Sequence, residues 1–124
     1  MRYKGSLRSG GAFGWFYQRL SGLVLLILLL IHWGMMHNTP QAADGIQYID
    51  VATRLASPFW KTFDLLFLIL GIFHGMNGLL MIVRDYVKVP WQRGAIYSVV
   101  VILGLVLLIL GTLTVLPFQV KYPG

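Results

Sequence analysis

GIFHGMNGLLMIVRDYVK, residues 71–88, is an apolar run that carries one histidine, His74, and closes in a charged and aromatic group, Arg84-Asp85-Tyr86. An ionisable side chain at membrane depth is costly, so it takes a partner and, as a rule, a role. Read as a helix, the run places His74, Gly78, Met81 and Asp85 on one face, at i, i+4, i+7 and i+11. The rise from His74 to Asp85 is about 16 Å, roughly half of a hydrocarbon core. One stripe thus joins a buried imidazole to the water interface.

The rest of the composition agrees with a chain built for lipid. Of 124 residues, 57% are hydrophobic and 11% charged, and a soluble domain of this length could not cover so much apolar surface. Three apolar runs each reach the ~20 residues that a bilayer requires. They predict an all-α membrane protein, a single transmembrane domain over residues 1–124 with helices at about 16–36, 58–83 and 95–116. The absence of cysteine excludes disulfides, thiol chemistry and iron–sulfur ligation within the chain. The net charge of +6 sits beside the apolar runs, which reads as a topology signal rather than a nucleic-acid surface. The first run is too long for a signal-peptide core and is preceded by Trp15, Phe16 and Tyr17, so it is expected to stay as helix I.

Taken in order, residues 1–14 are basic and glycine-rich and read as an irregular or surface segment. Helix I carries Arg19, Ser21 and Gly22 in its first turns and His32 near its far end; Ser21, Leu25, Leu28 and His32 share a face. The polar stretch 38–57 has room for a short interfacial helix around Ile46, Ile49 and Thr53. Pro58 suits the first turn of helix II, with Trp60 and Lys61 as interface anchors. Gly71, Gly75 and Gly78 form a ridge that admits a close helix or a flat ligand. Residues 84–94 read as a basic turn closed by Pro90 and Trp91. On helix III, Tyr97, Gly104 and Gly111 are spaced as a packing seam. Arg2, Lys4, Arg8, Arg19, Arg84, Lys88 and Arg93 lie on one side, against Arg54, Lys61 and Lys121 on the other. This predicts a cytoplasmic N-terminus and a C-terminus on the opposite side, in the inner (cytoplasmic) membrane.

No nucleophile–base pair, phosphate loop or dense ligand cluster is present. The distinctive polar groups within the spans are His74 and His32. His74 has two readings: a histidine hydrogen-bonded between helices, or an axial ligand to haem, with the glycine ridge as a slot and Arg19 and Arg84 as cations for the propionates. His32 has the same two readings, or is solvated near the far interface. Tyr86 and Asp85 are either ordinary interface residues, with Asp85 paired to Arg84 or Lys88, or donors and neighbours at a quinone carbonyl.

The pattern His-x10-Asp-Tyr-Val-Lys closing helix II resembles the D-type hydrophobic membrane anchors of succinate dehydrogenase, the succinate:quinone oxidoreductase of respiratory complex II. The opening Arg19-Leu-Ser-Gly22 is similar to the Arg-x-Ser-Gly signature of the sister C-type anchor. The resemblance covers helices I and II, and helix III by topology. It implies that His74 is the haem b axial ligand, shared with a second anchor subunit. It implies that Tyr86 hydrogen-bonds ubiquinone or menaquinone, with Asp85, Arg19 and Ser21 nearby and Arg19 also at the propionates. His32 implies a second haem, as in two-haem relatives. Electrons would come from FAD through iron–sulfur clusters held by a flavoprotein and an iron–sulfur subunit, so the chain is an enzyme subunit without catalysis of its own. The alternatives are a fumarate reductase anchor and a haem-free structural anchor. No nucleic-acid partner is expected.

Overall fold

The computed structural model describes residues 11–38 and 45–117. Among these there are four helices and no strand: α1 (Gly11–His37), α2 (Tyr48–Ala56), α3 (Pro58–Tyr86) and α4 (Pro90–Val115). The three expected spans are α1, α3 and α4, each long and apolar enough to cross a bilayer. They hold 27, 29 and 26 residues. At about 1.5 Å per residue they outrun a ~30 Å hydrocarbon core, so their ends stand among the headgroups.

The helix limits correct the expectation in three places. Helix α1 begins at Gly11, ahead of Phe16, so part of the segment read as irregular is helical; residues 1–10 lie outside the described residues, as do Thr39-Pro40, Asp44 and the Lys121 tail. Helix α3 continues through Tyr86. The basic turn shrinks to Val87–Val89, because Pro90 opens α4 at its first helical position, where its missing N–H costs nothing and its fixed φ is already helical. That turn is tied at both ends: Val87 N donates to Val83 O at 2.8 Å, Arg93 N to Val89 O at 3.0 Å and Arg93 Nε to Val87 O at 3.0 Å.

The short helix expected in the polar stretch is α2. Gln47 N donates to the Asp50 carboxylate at 2.9 Å and so caps its start, satisfying a donor that a helix end leaves open. Ala52 and Leu55 are buried, whereas Ile46 and Ile49 remain outside. Ser57 alone separates α2 from α3, which Pro58 opens.

Helix α3 is the hub and packs against α1, α2 and α4. The predicted seam on α4 is where that helix meets α3. Gly104 faces Met76 so closely that a Cβ there would come within 2.1 Å of the sulfur, and one at Gly111 within 2.6 Å of Leu68. Tyr97 donates to Leu80 O at 3.4 Å. Very few side chains are buried; Leu23, Leu26 and Leu30 on α1 and Val99, Ile102 and Leu113 on α4 all face outward. In water that surface would be unfavourable by roughly 25 cal/mol per Å², and lipid removes the penalty. The chain is a multi-pass membrane protein. Its four tryptophans, Trp15, Trp33, Trp60 and Trp91, all fall near span ends, as an aromatic belt requires.

Candidate functional site

The middle of the α1–α3 contact is polar. Ser21 on α1 is buried, and its Oγ lies 2.8 Å from His74 Nδ1. The same hydroxyl donates back to Gln18 O at 3.3 Å, so at His74 it accepts. The Gln18 carboxamide reaches over the other edge of the ring: its Nε2 lies 3.4 Å from His74 Nε2 and donates to His74 O at 3.3 Å. Asn77 Nδ2 donates to Gln18 Oε1 at 2.6 Å, and the His74 carbonyl, which can only accept, sets the Gln18 amide nitrogen on its side. One consistent assignment follows. Gln18 donates to Nε2, Nε2 accepts, and Nδ1 carries the proton that it gives to Ser21.

Local sequence explains why these groups meet. Gln18 and Ser21 are three apart on α1, as are His74 and Asn77 on α3, so each pair shares a face. Gly22 lets the imidazole lie against the α1 backbone, since a Cβ there would come within 3.1 Å of His74 Cε1. Gly78 makes room for Gln18, whose Nε2 would be 2.8 Å from a Cβ at that position. The glycine ridge is therefore divided in use: Gly78 is filled by Gln18, Gly75 has open space where a Cβ would stand, and a Cβ at Gly71 would stand 4.0 Å from Leu25 Cδ2.

Toward the interface, the other predicted residues are exposed. Tyr86 is 81% exposed. Arg84 Nε lies 4.0 Å from the Asp85 carboxylate, and Lys88 donates to Asp85 O. The Arg19 guanidinium covers the Trp15 ring at 3.9 Å, a cation–π contact. Arg19 and Ser21 do not work as neighbours, because residues two apart on a helix face opposite ways. Ser21, expected beside the quinone, is hydrogen-bonded to His74.

At the far end of the bundle lies a second, charged cluster. Arg54 of α2 grips Asp64 of α3 at two points, 2.9 Å and 2.7 Å. His32 Nδ1 lies 3.4 Å from the same carboxylate. It is buried, within ion-pair reach but without hydrogen-bond alignment. Its ring tilts against Phe67 at 5.4 Å. His32 and Asp64 line an open groove of about 490 Å³ whose walls are Phe67, Leu68, Gly71 and Ile72 of α3 with Gly111, Thr114 and Val115 of α4.

Gln18, Asn77 and the Arg54–Asp64 pairing were not singled out as site features in the sequence. Gln18 and Asn77 carried a signal, because a buried His74 requires partners and these are the amides one turn from the site. Among the described residues no group of three acidic, histidine or cysteine side chains converges. Haem needs none, since its macrocycle brings four nitrogens and asks for an axial imidazole. That ligand must present one nitrogen lone pair while its other N–H is held by an acceptor. His74 meets the second condition through Ser21, while its Nε2 faces the Gln18 amide at 3.4 Å.

Comparison with known proteins agrees with a chain of transmembrane helices. A family model described as succinate dehydrogenase/fumarate reductase transmembrane subunit matches residues 3–116. A succinate dehydrogenase hydrophobic membrane anchor subunit of Archaeoglobus fulgidus is 32% identical over 82 residues, which cover 66% of this chain and 68% of that one. A protein of the same name from Thermoplasma acidophilum is 35% identical over 78 residues, or 60% of each chain. The chain belongs to the family of transmembrane subunits of succinate dehydrogenase and fumarate reductase.

Proposed function

We propose that this chain is one of two membrane anchors of a succinate:quinone oxidoreductase, that it supplies His74 as an axial ligand of haem b, and that Tyr86, Arg19 and Asp85 belong to the site where quinone is reduced. The observation that carries the haem reading is the orientation of His74, held at Nδ1 by Ser21 with Nε2 as the acceptor edge. Haem bound there supplies a one-electron relay.

The chain's own groups do the rest. Tyr86, the last residue of α3, and Arg19 of α1 would each donate hydrogen bonds to a quinone carbonyl oxygen as negative charge builds on it. Asp85, beside Arg84, would keep that guanidinium near the site, and Arg19 and Arg84 would be the cations available to the propionates. Reducing a quinone to a quinol takes two electrons and two protons. The electrons come from the flavoprotein through the iron–sulfur subunit, and the protons from the cytoplasmic side. The excess of Lys and Arg around the α1 start and the α3–α4 turn supports this orientation.

Two further readings rest on particular contacts. His32, whose Nδ1 lies 3.4 Å from Asp64 and whose ring lines the groove, is proposed as an axial residue for a second haem. A haem-free structural anchor is favoured by the Gln18 amide over Nε2. For the quinone site, Tyr86→Phe should slow quinone reduction about tenfold or more while succinate oxidation with an artificial acceptor is unchanged. Equal loss of both activities would mean failed assembly and would remove Tyr86 from the quinone site.

A further inference from the structure

The bonds around His74 are unequal. On the Nδ1 side the contact to Ser21 is 2.8 Å, a full-strength hydrogen bond. On the Nε2 side the contact to Gln18 is 3.4 Å, long and weak. Gln18 is itself anchored elsewhere, by Asn77 at 2.6 Å and by the His74 carbonyl at 3.3 Å. The imidazole is thus fastened firmly at one nitrogen and covered loosely at the other. The loose side carries the lone pair.

We propose that Gln18 is a displaceable cap on His74: its carboxamide, held by Asn77, satisfies Nε2 in the haem-free chain and swings aside when iron takes that nitrogen, while Ser21 keeps Nδ1 in place throughout. This rests on the haem reading of His74. The exchange balances simply: the Gln18 N–H···Nε2 contact is given up, a bond from the Nε2 lone pair to iron forms, and no proton or electron moves. A capped imidazole is also an answer to burial. Without the cap, a haem-free chain would leave the Nε2 acceptor unsatisfied at membrane depth, which is unfavourable. Asn77 matters because it parks the cap; the Gln18 position is otherwise tight, being pressed against Gly78.

The cap competes with haem, so its loss and the loss of Ser21 have opposite effects. The test is a titration of ferrous haem into the full-length, haem-free chain in detergent, read by the b-type absorbance. Gln18→Ala should bind about fivefold more tightly than the wild type, one hydrogen bond of competition being removed. Asn77→Ala, which frees the cap, should act in the same direction. Ser21→Ala should bind about tenfold or more weakly. Unchanged or weaker binding by Gln18→Ala, with His74→Ala abolishing binding, overturns the cap and leaves the haem reading intact. Equal binding by wild type and His74→Ala overturns the haem reading itself. A second readout needs no haem: in the ¹⁵N spectrum of histidine-labelled chain, Nδ1 of His74 should be protonated, and Gln18→Ala should move the Nε2 resonance alone. A protonated Nε2 in the wild type, or a spectrum indifferent to Gln18→Ala, overturns the proposal.

Discussion

His32 and His74 sit roughly three turns apart along α1 and α3 and are held by opposite means. His74 is surrounded by neutral partners: a hydroxyl at 2.8 Å and a carboxamide at 3.4 Å, locked by a second carboxamide. His32 lies against a carboxylate that Arg54 already grips twice. Both ties bridge α1 to α3, and together they fix the register of two antiparallel helices whose long apolar faces specify none. The neutral tie orients one ring and leaves one nitrogen lightly covered. The charged tie is first a clamp that docks α2 onto α3, and His32 is its third member. The two ties differ in which bonds are strong.

The largest effect should come from breaking the clamp. Asp64→Ala leaves the Arg54 charge buried without its partner, a loss of about 3–5 kcal/mol. It should appear as a marked drop in melting temperature and loss of amide protection in α2, whereas Arg54→Met combined with Asp64→Leu should recover most of it. A double variant as unstable as Asp64→Ala would show that the ion pair is needed for more than mutual neutralisation.

A smaller effect belongs to the neutral tie. Ser21→Ala strands the His74 N–H and should lower stability by about 1–2 kcal/mol, measured by the same melt, with weaker haem retention. A variant with wild-type stability and haem content would mean that Ser21 does not orient the ring.

The smallest change is expected at His32. His32→Phe keeps the contact with Phe67 and leaves Arg54 and Asp64 paired, so stability should move by under about 1 kcal/mol. The haem-to-chain ratio in this variant tests the second haem: a fall by one haem supports it, and an unchanged ratio removes it.

How much of this was legible depends on whether the signal was local. Each span announces itself as an unbroken apolar run, and Tyr97, Gly104 and Gly111 announce the α4 seam by spacing alone. The start of α1 was obscured because Gly11 and Gly14 read as breakers, although a helix held by lipid tolerates them. Pro90 was read as closing a turn when it opens a helix; the residue is the same and only its register decides. Gln18 and Asn77 were hidden for a different reason. A single amide in an apolar run says nothing until the helix opposite is known, and the 2.6 Å bond that gives them meaning spans two helices. The same holds for Arg54 and Asp64, which lie on consecutive helices turned back on each other at Ser57. His74 itself was readable as a site. Its partner Ser21 was visible too, but beside Arg19, and a helix turns neighbours two apart to opposite sides.

The central claim is that His74 holds haem. The direct measurement is the dithionite-reduced minus oxidised visible spectrum of the detergent-purified complex, with haem quantified per copy of this chain, for the wild type beside His74→Ala. A b-type difference spectrum is expected in the wild type and should be lost in an assembled His74→Ala complex. The same spectrum at the same haem-to-chain ratio in both, or a colourless and well-assembled wild type, would contradict it.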